Sequence, residues 1–544
     1  MKDLKTCLKG LRRILRPVLG RDLVMVLIGG VRIASSLAFV WICKRLVDIV
    51  TGSCEGALMP AVWTMLVIML VQLFCNIASN YWGSLNTVKT QNDLRLGYFS
   101  HVLNTRWIGR ETFKSGDTVN RIEEDVRVIT ELVCSRIPEV VITLCQLVAS
   151  SVYLLTMAPS LLWVLVILMA AAVFGSKMYF GKIRKLTALI RSEDSDVQQH
   201  IQENLQNRVL VLTLFGTGNV VSRLSSLQAL LKKNTITRMN YNAVARGFMN
   251  LGFMGGYAAA FLWGVFGIKS GAVSFGMMTA FLQLVGQVQR PIAELGREVP
   301  AFIKALTSVE RLMELEDLPL ERYHGDFQFN GAPGIRLSSV SFAFPGSGTD
   351  VIKGFSHDFK PGTLSVLAGP TGSGKTTITR LMLGLLRPGS GSVELYSEDG
   401  TAHTADVDTR CNFTYVPQGN SLLSGTIRGN MLLACPDATE EQMKDALKLA
   451  AAEFVLDLPE GLDTVCGENG TGLSEGQSQR IAIARALLHP GGILILDEAT
   501  SALDQETEER LLDNIHTYMA GSRTIVFISH RPAATRIADD VVTL

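Results

Sequence analysis

The chain has 544 residues, with 51 basic and 50 acidic side chains and a formal net charge of +1. This length exceeds what one hydrophobic core usually supports, so we expect at least two domains. The near-neutral charge argues against a nucleic-acid partner, and the nine scattered cysteines have no CxxC spacing, which favours neither a disulfide framework nor a zinc site.

Long apolar stretches with few charges occupy the first 310 residues or so. Six of them reach the roughly 20 residues that a helix needs to cross a bilayer. They are 22–48, 58–82, 132–157, 160–181, 244–268 and 272–294. The sequence therefore predicts an all-α membrane region with six spans over residues 1–315.

The connections between these spans differ in length and charge. Those after the first, third and fifth spans are short, whereas 83–131 and 182–243 are long, polar and periodic in the manner of helices. The first 21 residues hold seven basic side chains, and lysine and arginine favour the cytoplasmic side. We therefore expect the N-terminus and both long connections to be cytoplasmic, with turns near 109–117 and 215–221.

Residues 316–334 contain the proline and glycine of a linker, and a different pattern follows them. "IRLSSVSFAF" and "LSVLAG" are typical of strands, and later strands alternate with helices. The sequence thus predicts a cytoplasmic α/β domain over 335–544.

A phosphate-binding loop follows the apolar strand "LSVLA". "GPTGSGKTT" (369–377) fits G-x-x-x-x-G-K-[ST] and opens a helix, as the mechanism requires. The backbone N–H groups of Gly372 to Thr376 can surround phosphate oxygens at the helix's positive end. Lys375 can reach the β and γ phosphates, and the Thr376 hydroxyl can hold Mg²⁺.

A second apolar strand, "GILILDEAT" (492–500), ends in two acids. Beside a phosphate-binding loop, Asp497 is expected in the magnesium shell and Glu498 is expected to polarise the attacking water. "TIVFISH" (524–530) is another apolar strand, and it ends at His530, where ligands bind in parallel sheets.

Together these residues resemble an ATP-binding cassette (ABC) exporter, a half-transporter with fused transmembrane and nucleotide-binding domains. The resemblance covers essentially the whole chain, with six spans followed by motifs in family order. The motifs are "FAFPG" (342–346), the loop at 369–376, "YVPQ" (415–418), "LSEGQ" (473–477), "LDEATSALD" (496–504) and His530. A typical domain of this family continues past the final "DDVVTL" through another strand and helix, so we expect the domain to be trimmed there.

The resemblance implies a role for each matching residue. Glu498, His530 and Gln418 are the expected catalytic residues, and Phe344 matches an aromatic position, commonly Tyr, that stacks on adenine. The expected ligands of Mg²⁺ are Thr376, Gln418 and Asp497. The expected contacts with ATP are Phe344, Gly369, Pro370, Thr371, Gly372, Ser373, Gly374, Lys375, Thr376, Thr377, Ser474, Gly476, Gln477 and Asp504.

The segment "GLSEGQSQR" (472–480) begins a helix far along the chain from the phosphate-binding loop. In a head-to-tail dimer of this family, Ser474 and the N–H groups near Gly476 close over ATP held by Lys375 of the other subunit. Glu475 stands where the family most often has glycine. A homodimer is the simplest interpretation if Glu475 points to solvent, and a heterodimer with one non-hydrolysing site is the alternative.

Polar residues inside the predicted spans are candidates for a substrate path. Arg32 lies in the first span, and the sixth carries a stripe of Gln283, Gln287, Arg290 and Glu294 on one helix face. For the two glutamines, cavity lining and ordinary packing both remain open. Arg290 and Glu294 fit an i,i+4 pair near the membrane boundary, and Pro291 is expected to loosen the helix.

The expected activity is therefore ATP-driven export of a lipid, a drug-like amphiphile or a peptide. The expected location is the inner membrane of a bacterium, and the expected partners are the lipid bilayer and a second copy or a related half-transporter. The alternative function is that of a non-pumping membrane protein, a nucleotide-gated channel or regulator with the same architecture.

Overall fold

The computed structural model describes residues 4–107, 115–370, 372–467, 470, 472–519, 521–529 and 531–544. They form two compact units. The first comprises Met1–Phe99 and Thr118–Glu316, and the second comprises Ser100–Asp117 and Asp317–Leu544. Residues 100–107 and 115–117, which we expected in the first cytoplasmic extension, thus belong to the second unit.

All the described secondary-structure elements of the first unit are helices. Its helices are α1 (Leu4–Leu15), α2 (Leu19–Val50), α3 (Leu58–Leu103, which runs into the second unit), α4 (Ser115–Asn120), α5 (Val126–Glu131), α6 (Ile137–Met157), α7 (Pro159–Gln206), α8 (Arg208–Thr213), α9 (Thr217–Lys269) and α10 (Phe275–Glu316). The π-helical turns Arg121–Asp125 and Leu132–Arg136 join α4, α5 and α6 into one continuous helical segment.

Among the described residues, five helices are long and apolar enough to cross a membrane. They are Leu19–Val50, Leu58–Leu103, Gly116–Met157, Pro159–Gln206 and Thr217–Lys269, and they contain the first five predicted spans. Residues 275–294 of the sixth predicted span lie in α10, where glutamines and Arg290 reduce the mean hydropathy. Large apolar side chains such as Phe74 and Phe174 are 72% exposed, as expected of a surface that faces lipid tails.

The two predicted turns have different outcomes. Residues 109–114 of the first lie outside the described residues, and α4 begins at Ser115. The second was predicted near 215–221; the chain turns over 214–216, which overlaps the start of that range, and also at Asn207, and α9 begins at Thr217. Phe215, in the middle of the turn 214–216, has a positive φ of 51°, and Gly218 is accommodated within the helix.

Small residues let α7 and α9 pack closely along their length. Gly252 and Gly256 are buried on α9 at a spacing of four residues. A Cβ atom added to Gly252 would lie 2.5 Å from the Cβ of Ala172 on α7. Since neither atom can rotate away, the helices approach closely only because position 252 has no side chain.

Replacing Gly252 with alanine should therefore destabilise the membrane unit. The substitution gains up to about 1 kcal/mol of helix propensity, but overpacking typically costs about 1–3 kcal/mol. We expect Gly252→Ala to lower the unfolding temperature of the detergent-solubilised protein. Gly255→Ala is the matched control, because its nearest neighbour is Leu168 at 4.0 Å, and it should leave the temperature unchanged or raise it. Equal effects of the two substitutions would refute the packing explanation.

The second unit combines strands and helices. Its strands are β1 (Gly334–Phe342), β2 (Ile352–Phe359), β3 (Leu364–Ala368), β4 (Ser390–Tyr396), β5 (Ala402–Thr404), β6 (Phe413–Val416), β7 (Gly425–Thr426), β8 (Val465–Cys466), β9 (Ile493–Asp497), β10 (Thr524–Ile528) and β11 (Asp540–Thr543). Its helices are α11 (Lys375–Met382), α12 (Ile427–Leu432), α13 (Glu440–Leu449), α14 (Glu475–Leu488), α15 (Gln505–Met519) and α16 (Pro532–Ile537).

A parallel sheet with the order β11-β3-β10-β9-β6 forms the centre of this unit. All residues of β9 and β10 are buried, which agrees with their continuous apolar sequences. An antiparallel sheet with the order β2-β1-β4-β5 lies in the same unit, and residues 540–543 of the final "DDVVTL" form β11. The carboxyl ends of parallel strands share one edge, so the segments after β3, β6 and β9 meet there.

Candidate nucleotide-binding site

The phosphate-binding loop connects β3 to α11 at this edge. Gly372 and Gly374 have positive φ angles of 85° and 102°, which favour glycine. A Cβ atom at Gly374 would lie only 2.5 Å from the Cδ1 of Ile352. The buried Ser373 hydroxyl has no hydrogen-bond partner among the described residues. The loop is therefore a cradle of backbone and hydroxyl groups that suits phosphate oxygens.

Lys375 begins α11 and folds back over this loop. Its Nζ atom donates hydrogen bonds to the carbonyl oxygens of Gly369 at 2.7 Å and Pro370 at 3.0 Å. The side chain is 93% buried, so these carbonyls hold its charge in place of water. A phosphate in the cradle offers stronger, charged acceptors to the same ammonium group.

Asp497 is the last residue of β9 and is buried. Its Oδ2 atom accepts a hydrogen bond from the Tyr415 hydroxyl on β6 at 3.1 Å. Burial raises the pKa of Asp497, whereas the Tyr415 hydrogen bond and the charges of Arg380 and Lys375 lower it. Burial and the adjacent carboxylate raise the pKa of Tyr415, so its hydroxyl stays protonated and remains a donor.

Glu498 follows directly in an uncommon conformation. Its φ angle is 48°, in the left-handed region, and its backbone N–H donates to the carbonyl oxygen of Ile528 on β10 at 2.9 Å. Its Oε2 atom accepts a hydrogen bond from Nε2 of Gln418 at 2.5 Å. Such backbone strain persists at functional sites, and here it turns Glu498 away from the strand and onto Gln418.

The side chains at this edge form a chemically consistent set for Mg²⁺. Thr376, Gln418 and Asp497 offer a hydroxyl, an amide and a carboxylate, all oxygen donors of the kind that Mg²⁺ prefers. Asp497 ends β9, Gln418 lies two residues after the paired strand β6, and Thr376 is the second residue of α11. A buried carboxylate whose pKa is raised by desolvation gains from a cation beside it. The residues present therefore fit the ion.

The segment 472–480 caps α14. The Ser474 Oγ atom accepts from the N–H of Gln477 at 3.2 Å, and the Gln477 side chain accepts from the N–H of Ser474 at 2.9 Å. Ser474 and Glu475 are exposed, and Glu475 is the first residue of the helix. A carboxylate at that position stabilises the positive end of the helix, which accounts for an acid where glycine is common.

Sequence reasoning missed the contacts that hold the loop 500–504. Gln479 on α14 donates to the Ser501 hydroxyl and accepts from the N–H of Ala502, both at 3.1 Å. Arg531 donates to the Ser501 carbonyl at 2.7 Å and to the buried Glu508 at 2.8 Å, which also accepts from Thr500 at 2.7 Å. The only sequence signal was that Gln479 lies within the segment 472–480.

Of four further predicted site residues, two are described by the structure and two are not. Asp504 caps α15, because its carboxylate accepts from the N–H and the hydroxyl of Thr507, which together lower its pKa. Phe344 lies just after β1 and packs edge-on against Phe342, with ring centroids 5.0 Å apart. Thr371 and His530 lie outside the described residues.

Two protein-family profiles match the chain. The profile of the ABC transporter transmembrane region matches residues 23–292, and that of the ABC transporter itself matches residues 352–501. Together they span both units and the phosphate-binding edge. The chain belongs to the ABC transporter family. It is an exporter-type half-transporter in which the membrane region and the ATP-binding region are fused.

Several relatives resemble this half-transporter over half or more of its length. The ATP-dependent lipid A-core flippase of Vibrio cholerae is 28% identical over 523 residues, which cover 94% of the chain and 88% of the relative. The uncharacterised ABC transporter ATP-binding protein YfiC of Bacillus subtilis is 26% identical over 92% of the chain and 83% of its own length. The alpha-hemolysin translocation protein HlyB of Escherichia coli is 37% identical, but the match covers only 52% of the chain and 40% of HlyB.

A solved structure of a bacterial Atm1-family ABC exporter with ATP bound also resembles the half-transporter. The TM-score is 0.78, the identity is 24%, and the match covers 98% of the chain and 93% of the exporter. The likeness confirms the predicted fold, a helical membrane domain followed by an α/β cassette. The exporter-type half-transporter is thus a multi-pass membrane protein that binds ATP.

A polar cavity of about 630 Å³ lies within the membrane unit of the half-transporter. Its polar lining residues are Arg32, Ser36, Gln72, Asn76, Gln146, Arg290 and Glu294. Arg290 donates to Glu294 at 3.1 Å, as predicted for an i,i+4 pair, yet both also line the cavity. Gln287 instead joins helices, donating to Ser36 at 2.9 Å and accepting from Ser150 at 3.3 Å.

Proposed function

We propose that this half-transporter dimerises and uses ATP hydrolysis to export an amphipathic substrate. The observation that carries the proposal is the hydrogen bond between Gln418 and Glu498 beside the buried Asp497. This hydrogen bond joins a carboxylate and an amide at the edge of the parallel sheet that also carries the phosphate-binding loop. A non-hydrolysing regulator has no need of that strained arrangement.

The chain's own residues suggest how hydrolysis would proceed. Lys375 would exchange the carbonyls of Gly369 and Pro370 for phosphate oxygens. Glu498 would accept a proton from the attacking water, which Gln418 would orient, and His530 would hold the γ phosphate. Thr376, Gln418 and Asp497 would hold Mg²⁺, which neutralises charge on the phosphates.

Dimerisation is proposed because the capped end of α14 is exposed. Ser474 and the N–H groups near Gly476 form the positive end of a 14-residue helix, which favours an anion. A second chain would supply the phosphate in its own loop. Glu475 is exposed, so a homodimer with two working sites is the arrangement that we prefer over a heterodimer.

The proposed substrate class rests on the cavity of about 630 Å³ in the membrane unit. Two guanidinium groups, one carboxylate and several amides line it together with Met69 and Leu73. Arg32 forms no ion pair or hydrogen bond with another described residue; its charge acts on Glu139, and its side chain lines the cavity. An amphiphile with a polar, negatively charged group fits this lining better than a purely apolar molecule.

Arg32 provides a test of this substrate class. A charge-assisted hydrogen bond is worth about 1.5–3 kcal/mol, so Arg32→Gln should raise the concentration of an anionic amphiphile that half-maximally stimulates ATPase activity by about tenfold or more. Arg32→Lys, which keeps the charge, should shift it less. The assay is ATPase activity against paired anionic and cationic amphiphiles of equal chain length. Equal shifts for both would contradict the proposed role.

Transport itself is tested in liposomes that contain the purified protein. We expect substrate to accumulate against its gradient only when ATP is supplied on the side of the cassette, which we propose to be cytoplasmic, with the inner membrane as the native location. Downhill flux without ATP, combined with an ATPase rate that no substrate changes, would instead indicate a channel.

A further inference from the structure

A cavity of about 500 Å³ lies in the second unit, apart from the nucleotide-binding site. None of its described lining residues belongs to the predicted contacts with ATP or Mg²⁺. It is formed by the chain at Arg106, the linker after α10 and the segments that follow α11 and β5. Its volume suits a small organic molecule. Its charged or titratable lining residues are Arg106, Glu321, Arg322, His324, Arg387 and Asp406.

The two acids of this cavity are already held by other groups. Glu321 forms a two-point ion pair with Arg410 at 2.8 and 2.9 Å. Asp406 accepts hydrogen bonds from the N–H groups of Asp408 at 3.0 Å and Thr409 at 3.4 Å. Because Arg410 balances Glu321, the three lining arginines face only one unbalanced carboxylate. The cavity therefore carries an excess of positive charge.

The three arginines have no side-chain partner in the described part of the chain. Arg106, Arg322 and Arg387 form no ion pair, hydrogen bond or cation–π contact through their guanidinium groups with any described residue. Their like charges repel one another in the lining of one cavity, so an anion placed among them gains from all three. A guanidinium group offers paired N–H donors that match two oxygens of a phosphate group. The lining therefore favours a ligand that carries phosphate.

The backbone that carries Arg106 and Arg322 is fixed before any ligand binds. The N–H of Arg106 donates to the Pro319 carbonyl at 2.8 Å, and the N–H of Glu321 donates to the Asn104 carbonyl at 3.0 Å. These hydrogen bonds hold the residues after α3 against the linker. A ligand that meets side chains on a fixed backbone pays less conformational entropy on binding.

The backbone before Arg387 is fixed as well. Gly384 has a positive φ of 62°, and a Cβ atom there would lie 2.6 Å from the Cα atom of Asp406. Arg410 donates to the carbonyl of Gly384 at 3.4 Å. Because Arg410 also holds Glu321, one side chain ties the segment after α11 to the linker.

We propose that this cavity is a second anion site, in which Arg106, Arg322 and Arg387 bind the phosphate group of a soluble phosphate ester. A phosphate monoester carries about −1.5 to −2 charges at pH 7 and three strong acceptor oxygens, enough for all three guanidinium groups. The organic part of the ester can pack against Pro319 and Leu320, which also line the cavity. The bound ester joins the residues after α3, the linker and the segment after α11. The inference goes beyond the proposed function, because the proposed hydrolysis uses none of these residues.

A membrane phospholipid carries the same phosphate chemistry, but the length of α3 favours a soluble source. The apolar stretch predicted to cross the membrane ends at residue 82, and α3 continues to Leu103. At 1.5 Å per residue, this extension is about 30 Å long. The headgroup layer on each side of a bilayer is only roughly 5–8 Å thick. A phosphate held in that layer therefore lies too far along α3 to reach Arg106.

Calorimetric titration of the full-length, detergent-solubilised protein with glycerol 3-phosphate tests the site. Arg106→Gln, Arg322→Gln and Arg387→Gln should each weaken binding by at least about fivefold, because each removes a charge-assisted hydrogen bond. Arg387→Lys keeps the charge and should weaken binding less. Arg536→Gln is the matched control, since Arg536 is exposed on α16 and does not line the cavity, and it should leave the affinity unchanged. Glycerol, which lacks the phosphate, should not bind.

Two further arms identify where the phosphate binds and where it comes from. Lys375→Ala alters the phosphate-binding loop and should leave the affinity for glycerol 3-phosphate unchanged. Phosphatidic acid carries the same glycerol phosphate in its headgroup, so protein in nanodiscs with and without this lipid should bind the soluble probe equally. Loss of binding in Lys375→Ala alone would place the probe in the nucleotide-binding site, and competition by phosphatidic acid would assign the cavity to a lipid. Either result would overturn the proposal.

Hydrogen exchange gives a readout that depends on no variant. Because the ester joins the residues after α3 to the linker, the backbone N–H groups of Arg106 and Glu321 should exchange more slowly with saturating glycerol 3-phosphate than with glycerol. Unchanged exchange at both positions, no measurable binding, or parental affinity in all three arginine-to-glutamine variants would overturn the proposal. None of these outcomes depends on ATPase activity, so failure of this site and failure of the proposed function are distinguishable.

Discussion

Glu498→Gln is expected to lower the ATPase rate by at least about a hundredfold while ATP still binds, since general-base catalysis contributes about 10²–10⁴-fold. Glutamine matches glutamate in shape and can occupy the same backbone with φ of 48°, so the fold should persist. Its amide, however, cannot accept a proton from the attacking water. In the parental chain, Nε2 of Gln418 lies 2.5 Å from the Glu498 carboxylate and donates to it. The amide oxygen of the substituted glutamine would still accept this hydrogen bond.

The measurement combines steady-state phosphate release with binding of a labelled ATP. Glu506→Gln is the matched control, because Glu506 is an exposed acid in the first turn of α15 and should retain the parental rate. Purified Glu498→Gln should also retain nucleotide over many parental turnover times. Hydrolysis at the parental rate would show that Glu498 is not the base, and loss of ATP binding would show that the substitution damages the site itself.

The sequence predicted the parts of the site that depend on local pattern. A phosphate-binding loop needs a strand before it and a helix after it, and both are visible in "LSVLA" and "TTITRLM". Apolar runs likewise marked β9 and the membrane helices, because burial and lipid contact both require continuous apolar sequence. The predicted roles of the individual site residues stay predictions that the experiments above address.

Contacts between distant segments could not be predicted. Tyr415 reaches Asp497 across 82 positions and Arg410 reaches Glu321 across 89. Such pairs depend on strand order and on the path of the linker, which a single sequence does not contain. The same limit explains Gln287, because its sequence position placed it on a polar stripe but only the packing of α2, α6 and α10 assigns it to Ser36 and Ser150.

The extent of one turn was also not predictable. Glycines suggested a turn near 215–221, and the chain turns over 214–216 and at Asn207 but is helical from Thr217. Gly218 lies in the first turn of a 53-residue helix, where a single glycine costs only about 1 kcal/mol. The long helix outweighs that cost.

The composite site predicts that two inactive variants restore each other. Lys375→Ala removes the phosphate-binding cation, and Ser474→Arg obstructs the exposed cap of α14. In a homodimer of either variant, each of the two sites has one damaged half. In a mixed dimer both lesions fall in one site, and the other site pairs an intact Lys375 with an intact Ser474 from the opposite chain.

Mixed dimers, purified through a different tag on each chain, should therefore hydrolyse ATP although each homodimer is inactive. Glu475→Gln in place of Ser474→Arg is the control, since an exposed carboxylate at the first position of α14 should be dispensable and that variant should be active alone. If each chain instead hydrolysed ATP in a site of its own, no recovery would be expected. Every chain in the mixture carries either Lys375→Ala or Ser474→Arg, so every such site would be damaged. The head-to-tail arrangement would be refuted if mixed dimers were as inactive as the homodimers while the Ser474→Arg chain still bound nucleotide. Recovery would place Ser474 of one chain on the phosphate held by Lys375 of the other.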